Sequence, residues 1–290
     1  EILERVCCEA IGERRKSCGL PARLYHLTDI DGFTGIVRTK QLWASLATDL
    51  NDASEINYGW SLVRNALRDR AQATRDVLMI EGLRQLDSPF NSSELGRIDL
   101  HPVVVSFCER CDRSGQWLHY GKSGHGIAIG FDSRLAELMN LELWKVNYDP
   151  QSQRRDIDDY LSAVVDAWKG FPACQQADPC VLHESANALL KFLSFLVISM
   201  KHPAFREEEE WRLCGQILVR NGQIDESSQV RYRMRNDHLV PYESLSFREM
   251  SVVCDAVIGY SNPTSEHALK LLLRANGCLT EVRRSEVPVR

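Results

Sequence analysis

Several catalytic signatures are missing from this chain. It contains no GxSxG elbow, no Walker A loop, no HExxH pair and no kinase signature set, so the best-marked hydrolase, nucleotide triphosphatase, zinc-peptidase and kinase chemistries have no local support. Gly121, Gly124 and Gly126 do not make a GxGxxG fingerprint, and the strand-like run follows them instead of preceding them. No uninterrupted apolar run reaches the ~20 residues needed to cross a bilayer. The start, Glu1-Ile2-Leu3-Glu4-Arg5-Val6, lacks a basic region followed by an apolar core, so cytoplasmic localisation without a membrane partner is the expectation. The ten cysteines offer only one metal-like spacing, Cys108-x-x-Cys111, with no second pair to complete a zinc site. Reduced cysteines, and no metal, are expected.

What is present is ordinary for a globular protein. The chain has 290 residues, 44% hydrophobic and 26% charged, with a formal net charge of −5. That balance argues against broad nucleic-acid binding. Still, Arg220, Arg231, Arg233, Arg235 and Arg248 crowd one region, which leaves room for a local basic patch.

Periodicity gives a coarse map. Glu1 to Ser17 reads as a helix. Arg23 to Thr28 reads as a strand, with Leu24, His26 and Thr28 on one face and Tyr25 and Leu27 on the other. Asp29 or Asp31 caps a helix through Lys40, and Gln41 to Ser45 is strand-like. Asp52 and Glu55 have capping-box spacing ahead of a helical stripe, and Pro89 to Gly96 reads as a loop. Val103 to Phe107, Gly126 to Phe131 and Leu141 to Tyr148 read as strands, and Asp156 to Trp168 and Pro179 to Met200 as helices. Later strands are expected at Glu208 to Val219, Val230 to Arg233, His238 to Tyr242, Val252 to Gly259 and Cys278 to Arg284, with a helix over Pro263 to Ala275. Strands at both ends and a helical block between them predict an α+β fold, either two packed antiparallel-rich sheets or one split sheet. The expected organisation is one domain over 1–290, with an N-terminal helix at 1–20, a core at 21–148 and 201–290, and a helical insert at about 149–200.

Three constellations carry chemistry. In the run Glu207-Glu208-Glu209-Glu210-Trp211-Arg212-Leu213, an extended chain puts Glu208, Glu210 and Arg212 on one face. Two carboxylates beside a guanidinium suit a site that binds a sugar and stabilises positive charge; a solvated acidic helix end explains the charge run equally well. His26 and Thr28, two apart on one strand face, offer a ring nitrogen and a hydroxyl to a polar ligand. Ser106 lies on a buried strand, and Trp117 and Tyr120 beyond it could wall a flat heterocycle, or simply pack.

Taken together, these segments resemble a bacterial family known as domain of unknown function 2971. The resemblance is carried by Leu24-Tyr25-His26-Leu27-Thr28, Gly35-Ile36, Leu42-Trp43, Leu50-Asn51-Asp52-Ala53-Ser54-Glu55, Tyr58-Gly59, Ser106-Phe107, Trp117 to Gly121, Gly126 to Asp132, Lys201, Phe205, Glu208, Glu210-Trp211-Arg212, Ile258-Gly259, and Ser285, Pro288 and Arg290. A second resemblance, of the H-x-T strand and the late E-x-E strand, is to ADP-ribosyltransferases, including the type that modifies nucleic acid. It implies a fold of split antiparallel-rich sheets with flanking helices and an insert. It also implies NAD as substrate, His26 and Thr28 (with Ser106 and Arg212) holding it, Trp117 or Tyr120 facing nicotinamide, Glu210 catalytic and Glu208 orienting the acceptor. The acceptor, protein or nucleic acid, is not specified. The phosphate-holding arginine of such enzymes has only Arg23 and Arg38 as candidates. Breaking the nicotinamide–ribose bond develops oxocarbenium character, which a fixed carboxylate stabilises.

The resulting expectation is an NAD-consuming ADP-ribosyltransferase-like enzyme, with a role as a stress or phage-defence effector. Two rivals are kept. One is a non-catalytic nucleotide- or nucleic-acid-binding module using His26, Trp117 and Glu210. The other is a metal-dependent hydrolase or nuclease built on His26, Asp52 and Glu208 or Glu210.

Overall fold

The computed structural model describes residues 3, 5–7, 9, 19–49, 53–87, 99–220, 223–235 and 237–288. Most of the expected N-terminal helix, the Asp52 cap, the Pro89–Gly96 loop and Arg290 lie outside those residues.

The fold is α+β, built on a large, mostly antiparallel sheet. Its strands are β1 (Arg23–Thr28), β2 (Gln41–Leu46), β3 (Asp99–Cys108), β4 (Ile127–Asp132), β5 (Glu142–Lys145), β6 (Glu210–Arg220), β7 (Gln223–Ile224), β8 (Val230–Arg235), β9 (His238–Ser246), β10 (Val253–Ile258) and β11 (Glu281–Arg284). They run in the order β11-β10-β4-β1-β3-β2-β9-β8, while β6 pairs with β3, β5 and β7. Among the described strands, only β10 and β11 pair in parallel, with the helix Glu266–Ala275 between them in sequence.

The sheet is split, and its register shows where. β6 follows β3 along its whole length, from Asp99↔Val219 to Cys108↔Glu210. A strand has two edges, so β1 and β2 must share the other edge of β3. β2 pairs there at Val103 and Val104, and β1 only through Tyr25↔Cys108. The stretch Val105–Phe107 has no ladder partner on that edge, and the two halves of the sheet diverge at this point.

Helices cover both faces. One face carries α1 (Ile30–Thr39); Phe33, Ile36 and Val37 pack there with Leu24, Leu42, Val105, Phe107, Phe131 and Trp211. Asp29 is the cap, accepting from the Gly32 amide at 2.8 Å, and Lys40 ends the helix in a left-handed conformation at φ 55. The opposite face is covered by α2 (Ala53–Thr74), α3 (Val77–Asp87), α6 (Pro150–Lys169) and α8 (Pro179–Ile198), whose apolar sides form a second core with Val104, Trp144 and Cys214. The short helices α4 (Ser114–His119), α5 (Leu135–Leu138) and α7 (Ala173–Gln176) complete the set up to the final α9 (Glu266–Ala275). Asp149 and Asp178, each followed by proline at the first helical position, cap α6 and α8. The helical layer is therefore wider than the expected 149–200 block, because α2 and α3 belong to it. Helix α8 is long and apolar enough to cross a bilayer by length and composition; here its buried side packs on α2, α3 and α6.

Two strand expectations are corrected. Glu208 is not extended: Pro203–Glu208 is a 3-10 turn, Glu209 is left-handed at φ 45, and β6 starts at Glu210. The turn forms because the His202 ring accepts from the Ala204 amide and Pro203 starts it with its φ fixed. The expected strand from Leu141 to Tyr148 is confined to Glu142–Lys145, after which Asn147 bridges to Met200. Gly126 and its neighbours let backbone approach something closely, and that something is the chain itself. A Cβ at Gly126 would lie 2.5 Å from the Thr28 carbonyl, and Gly124, at φ 84, lies against the Tyr260 ring.

Candidate functional site

The centre of the molecule is a cluster of charges set into the helix-covered face. Glu210 and Arg212 are brought to that face by alternation along β6. Glu55 arrives from the first turn of α2, Lys201 from the segment after α8, and Glu208 from the 3-10 turn. Arg212 is 1% exposed, Lys201 2% and Glu210 6%. Charges buried this deeply are tolerable only when paired and hydrogen-bonded, and these are. Arg212 Nε and Nη2 donate to the two Glu210 oxygens at 2.8 and 3.0 Å, Nη2 also to Glu55 Oε2 at 2.7 Å, and Nη1 to the Ile198 carbonyl at 2.5 Å. Lys201 Nζ lies 2.8 Å from Glu55 Oε1 and 3.3 Å from Glu210 Oε2, and it forms a short contact with Glu208 Oε2.

The pairing sets the protonation. Burial pushes the Glu210 carboxyl up, but Arg212, Lys201 and the Ser106 hydroxyl outweigh it and hold the carboxyl at about 2. Burial alone would discharge Lys201; Glu210, Glu55 and Glu208 outweigh it and keep the ammonium charged. Three carboxylates face two cations, which leaves one net negative charge in the cluster.

Glu208 is the member at the surface. Its side chain is 18% exposed, against 8% for Glu210 and Glu55 and 2% for Lys201 and Arg212. The Tyr120 hydroxyl donates to Glu208 Oε1 at 2.9 Å, and the Gln116 amide group donates to the Glu208 carbonyl at 2.8 Å. Burial and the adjacent Glu208 and Glu210 charges push the Tyr120 phenol up, so it serves as a donor. The half-buried Tyr58, Tyr120 and Phe205 lie on the elements around Glu208, and Lys201 Nζ sits 5.0 Å from the Phe205 ring centre.

Ser106 links this cluster to the split. Its hydroxyl serves Glu210, and its carbonyl faces the edge of β3 that β1 and β2 leave unpaired. His26 Nδ1 fills that vacancy, donating to the carbonyl at 2.9 Å. A carbonyl can only accept, so Nδ1 carries the proton. Burial lowers the His26 pKa, and the ring is neutral at pH 7.

The expected site residues therefore separate. Glu208, Glu210, Arg212, Tyr120 and Ser106 come together, and His26 meets them through the Ser106 backbone. Thr28 lies farther along β1, its Oγ1 against Gly32. Trp117 is 0% exposed, with Nε1 donating to Asp112 at 2.8 Å, so it packs in the core and walls no cleft. Glu55, matched by spacing to a capping box, instead carries its carboxylate to Arg212 and Lys201. Sequence reading passed over Glu55, Lys201 and Tyr148, whose hydroxyl accepts from the Glu210 amide at 3.1 Å, as site residues. Lys201 and Glu55 were within the quoted motifs, but no spacing rule joins residues 146 positions apart. Of the candidates for a phosphate-holding arginine, Arg23 is paired with Asp255 at 3.0 Å and Arg38 is exposed on α1. Cys108 and Cys111 are buried thiols whose pKa values burial pushes up, Cys111 to about 12.

Residues 116–213, about a third of the chain, match the family described as protein of unknown function (DUF2971). The matched span holds Trp117, Tyr120, Lys201, Glu208, Glu210 and Arg212. Curated proteins give no match. Among solved structures, the chain is similar to DarT of Thermus sp. 2.9 in complex with ADP-ribosylated ssDNA, at 13% identity over 91% of this chain and 94% of that one, with a TM-score of 0.32. It is similar to the same protein in complex with NAD+ at 12% identity over 92% and 96% of the two chains, with a TM-score of 0.32.

Proposed function

We propose that the chain is an ADP-ribosyltransferase-like enzyme that cleaves the nicotinamide–ribose bond of NAD, with the catalytic role moved from Glu210 to Glu208 relative to the sequence expectation. The observation that carries this reading is the charge distribution of the cluster. Its one uncompensated negative charge is closest to solvent at Glu208, whose carboxylate is held by Tyr120 and Lys201 beside half-buried aromatic rings. A fixed carboxylate of that kind stabilises an oxocarbenium centre as it forms, and it needs no reorganisation to do so. Glu210 is saturated by Arg212 and Lys201, so its part is to hold the cluster together and fix Lys201 beside Glu208. NAD as the ligand comes from the H-x-T and E-x-E resemblance, and the acceptor is left open.

The test is nicotinamide release from NAD by the purified protein, with label transfer from NAD measured in parallel in cell lysate. Release or transfer by the wild type supports the reading, and the absence of both contradicts it.

The saturation of Glu210 and Arg212 by each other favours one second reading, a nucleotide-binding module without turnover. Binding of ADP-ribose with no nicotinamide release would establish it.

A further inference from the structure

The crowd of arginines in the sequence has a definite place in the fold. Arg231, Arg233 and Arg235 alternate along β8, on the same face as Tyr242 and Ser244 of β9 and Trp43 and Ser45 of β2. This part of the sheet face is open, and Trp43 is 46% exposed. Its indole stacks on the Tyr242 ring with centroids 4.6 Å apart and planes at 28°. The Arg233 guanidinium lies over both rings, 5.8 Å from Trp43 and 6.0 Å from Tyr242, and donates from Nη2 to Ser45 Oγ at 2.7 Å.

Arg233 is nevertheless incompletely satisfied. It is half-buried, it forms no salt bridge among the described residues, and its Nε is buried without a hydrogen-bond partner. The Ser244 hydroxyl, on the strand position opposite Trp43, is also buried and unpartnered. A half-buried guanidinium without a carboxylate carries a desolvation cost that an anion would offset. Burial and then the neighbouring Arg235 pull its pKa down, against smaller upward pulls from Tyr242 and Asp29. An unpaired cation, an unmet hydroxyl and an accessible indole in one patch match a phosphate next to a flat ring. The patch borders the sheet split, since Ser45 pairs with Val104 on β3, next to the unpaired Val105–Phe107 stretch.

We propose that Arg233, with Ser45 and Ser244, binds a phosphate group of a nucleotide whose ring stacks on Trp43. This deepens the NAD reading and rests on it for the nucleotide's identity: Arg233 becomes the phosphate-holding arginine that Arg23 and Arg38 do not supply.

The test is calorimetric binding of ADP-ribose, AMP, adenosine and a dT oligomer to the full chain and to Arg233→Gln and Trp43→Ala. The expected result is that Arg233→Gln weakens ADP-ribose and AMP by at least about tenfold, that Trp43→Ala weakens both, and that adenosine does not respond to Arg233→Gln. Because Arg233 forms no salt bridge among the described residues, its replacement loses only the Ser45 hydrogen bond and the ring contacts and should lower the melting temperature little. A large fall in melting temperature would make Arg233 a structural plug and overturn the proposal. Equal ADP-ribose affinity in wild type and Arg233→Gln would also overturn it. So would a dT oligomer bound more tightly than ADP-ribose through Arg231 and Arg235, which would assign the face to a nucleic-acid strand. The two readings fail separately. Nicotinamide release by Arg233→Gln at an unchanged KM removes this site and leaves the enzyme. ADP-ribose binding that depends on Arg233 in a wild type releasing no nicotinamide removes the enzyme and leaves this site.

Discussion

The Tyr120 hydroxyl donates to Glu208 Oε1 at 2.9 Å, fixing the one carboxylate of the central cluster that reaches the surface. Tyr120 comes from α4, beyond the end of β3, and Glu208 from the turn before β6, the strand that pairs with β3. The pairing of β3 and β6 is thus what brings donor and acceptor together. Tyr120→Phe should retain the fold and lower nicotinamide release by about tenfold to a hundredfold, the scale of losing one charge-assisted hydrogen bond. Steady-state kinetics beside a melting curve checks this; an unchanged rate would remove Tyr120 from the site.

Glu210 and Arg212 should behave as structural residues. Removing one partner leaves Arg212 with only Glu55, or Glu210 with only Lys201, as its counter-charge in the core, and breaking a buried ion pair typically costs about 3–5 kcal/mol. Arg212→Met and Glu210→Gln should each lower the urea midpoint substantially, whereas Glu208→Gln, at the surface, should shift it little. Urea denaturation of the three variants decides the order.

Stability should fall with acid in two stages. Burial lowers the His26 pKa in the folded chain below its ordinary 6.5. The unfolded chain therefore takes up a proton that the folded chain refuses, and stability drops as pH falls below about 6.5, by at most about 1.4 kcal/mol per pH unit. Glu210 acts lower. Its pKa is depressed from 4.5 to about 2, so its contribution is complete above about 4.5 and is lost as pH falls from there toward 2. His26→Gln should flatten the upper stage and leave the lower one, as read from urea midpoints at a series of pH values.

The C-terminal segment should depend on Asp112. The Ser285 hydroxyl and the Glu286 amide donate to Asp112 at 2.5 and 2.9 Å, on the carboxylate that also receives Trp117 Nε1. Asp112→Ala should free residues 285–288 and speed their amide hydrogen exchange, with a stability loss of about 1–3 kcal/mol from the unpaired indole N–H. An unchanged exchange rate would contradict the docking.

Much of this architecture was legible in the sequence. β1, β3 and β4 follow from alternating or continuous apolar runs, and α1 and α8 from aspartate caps and, in α8, proline at the first turn; α6 was expected only from Asp156, although Asp149 and Pro150 start it. The four-acid run does supply members of the buried cluster, but for a different reason. Glu208 and Glu210 do not share a strand face; a left-handed Glu209 turns the chain, and both reach Lys201 from different elements. Local periodicity holds no information about such a turn. The roles of Glu55 and Lys201 were hidden because their partnership depends on the packing of α2 and α8 against β6. Trp117 takes the packing alternative that the sequence left open beside a cleft wall: Gly121 brings the backbone down onto its ring and seals it.

The most direct test of the account is to compare NAD turnover and melting temperature in wild type, Glu208→Gln and Glu210→Gln. The account predicts that Glu208→Gln melts near the wild type and loses nicotinamide release by about 100-fold or more, while Glu210→Gln loses stability first. Full turnover in a folded Glu208→Gln would contradict it.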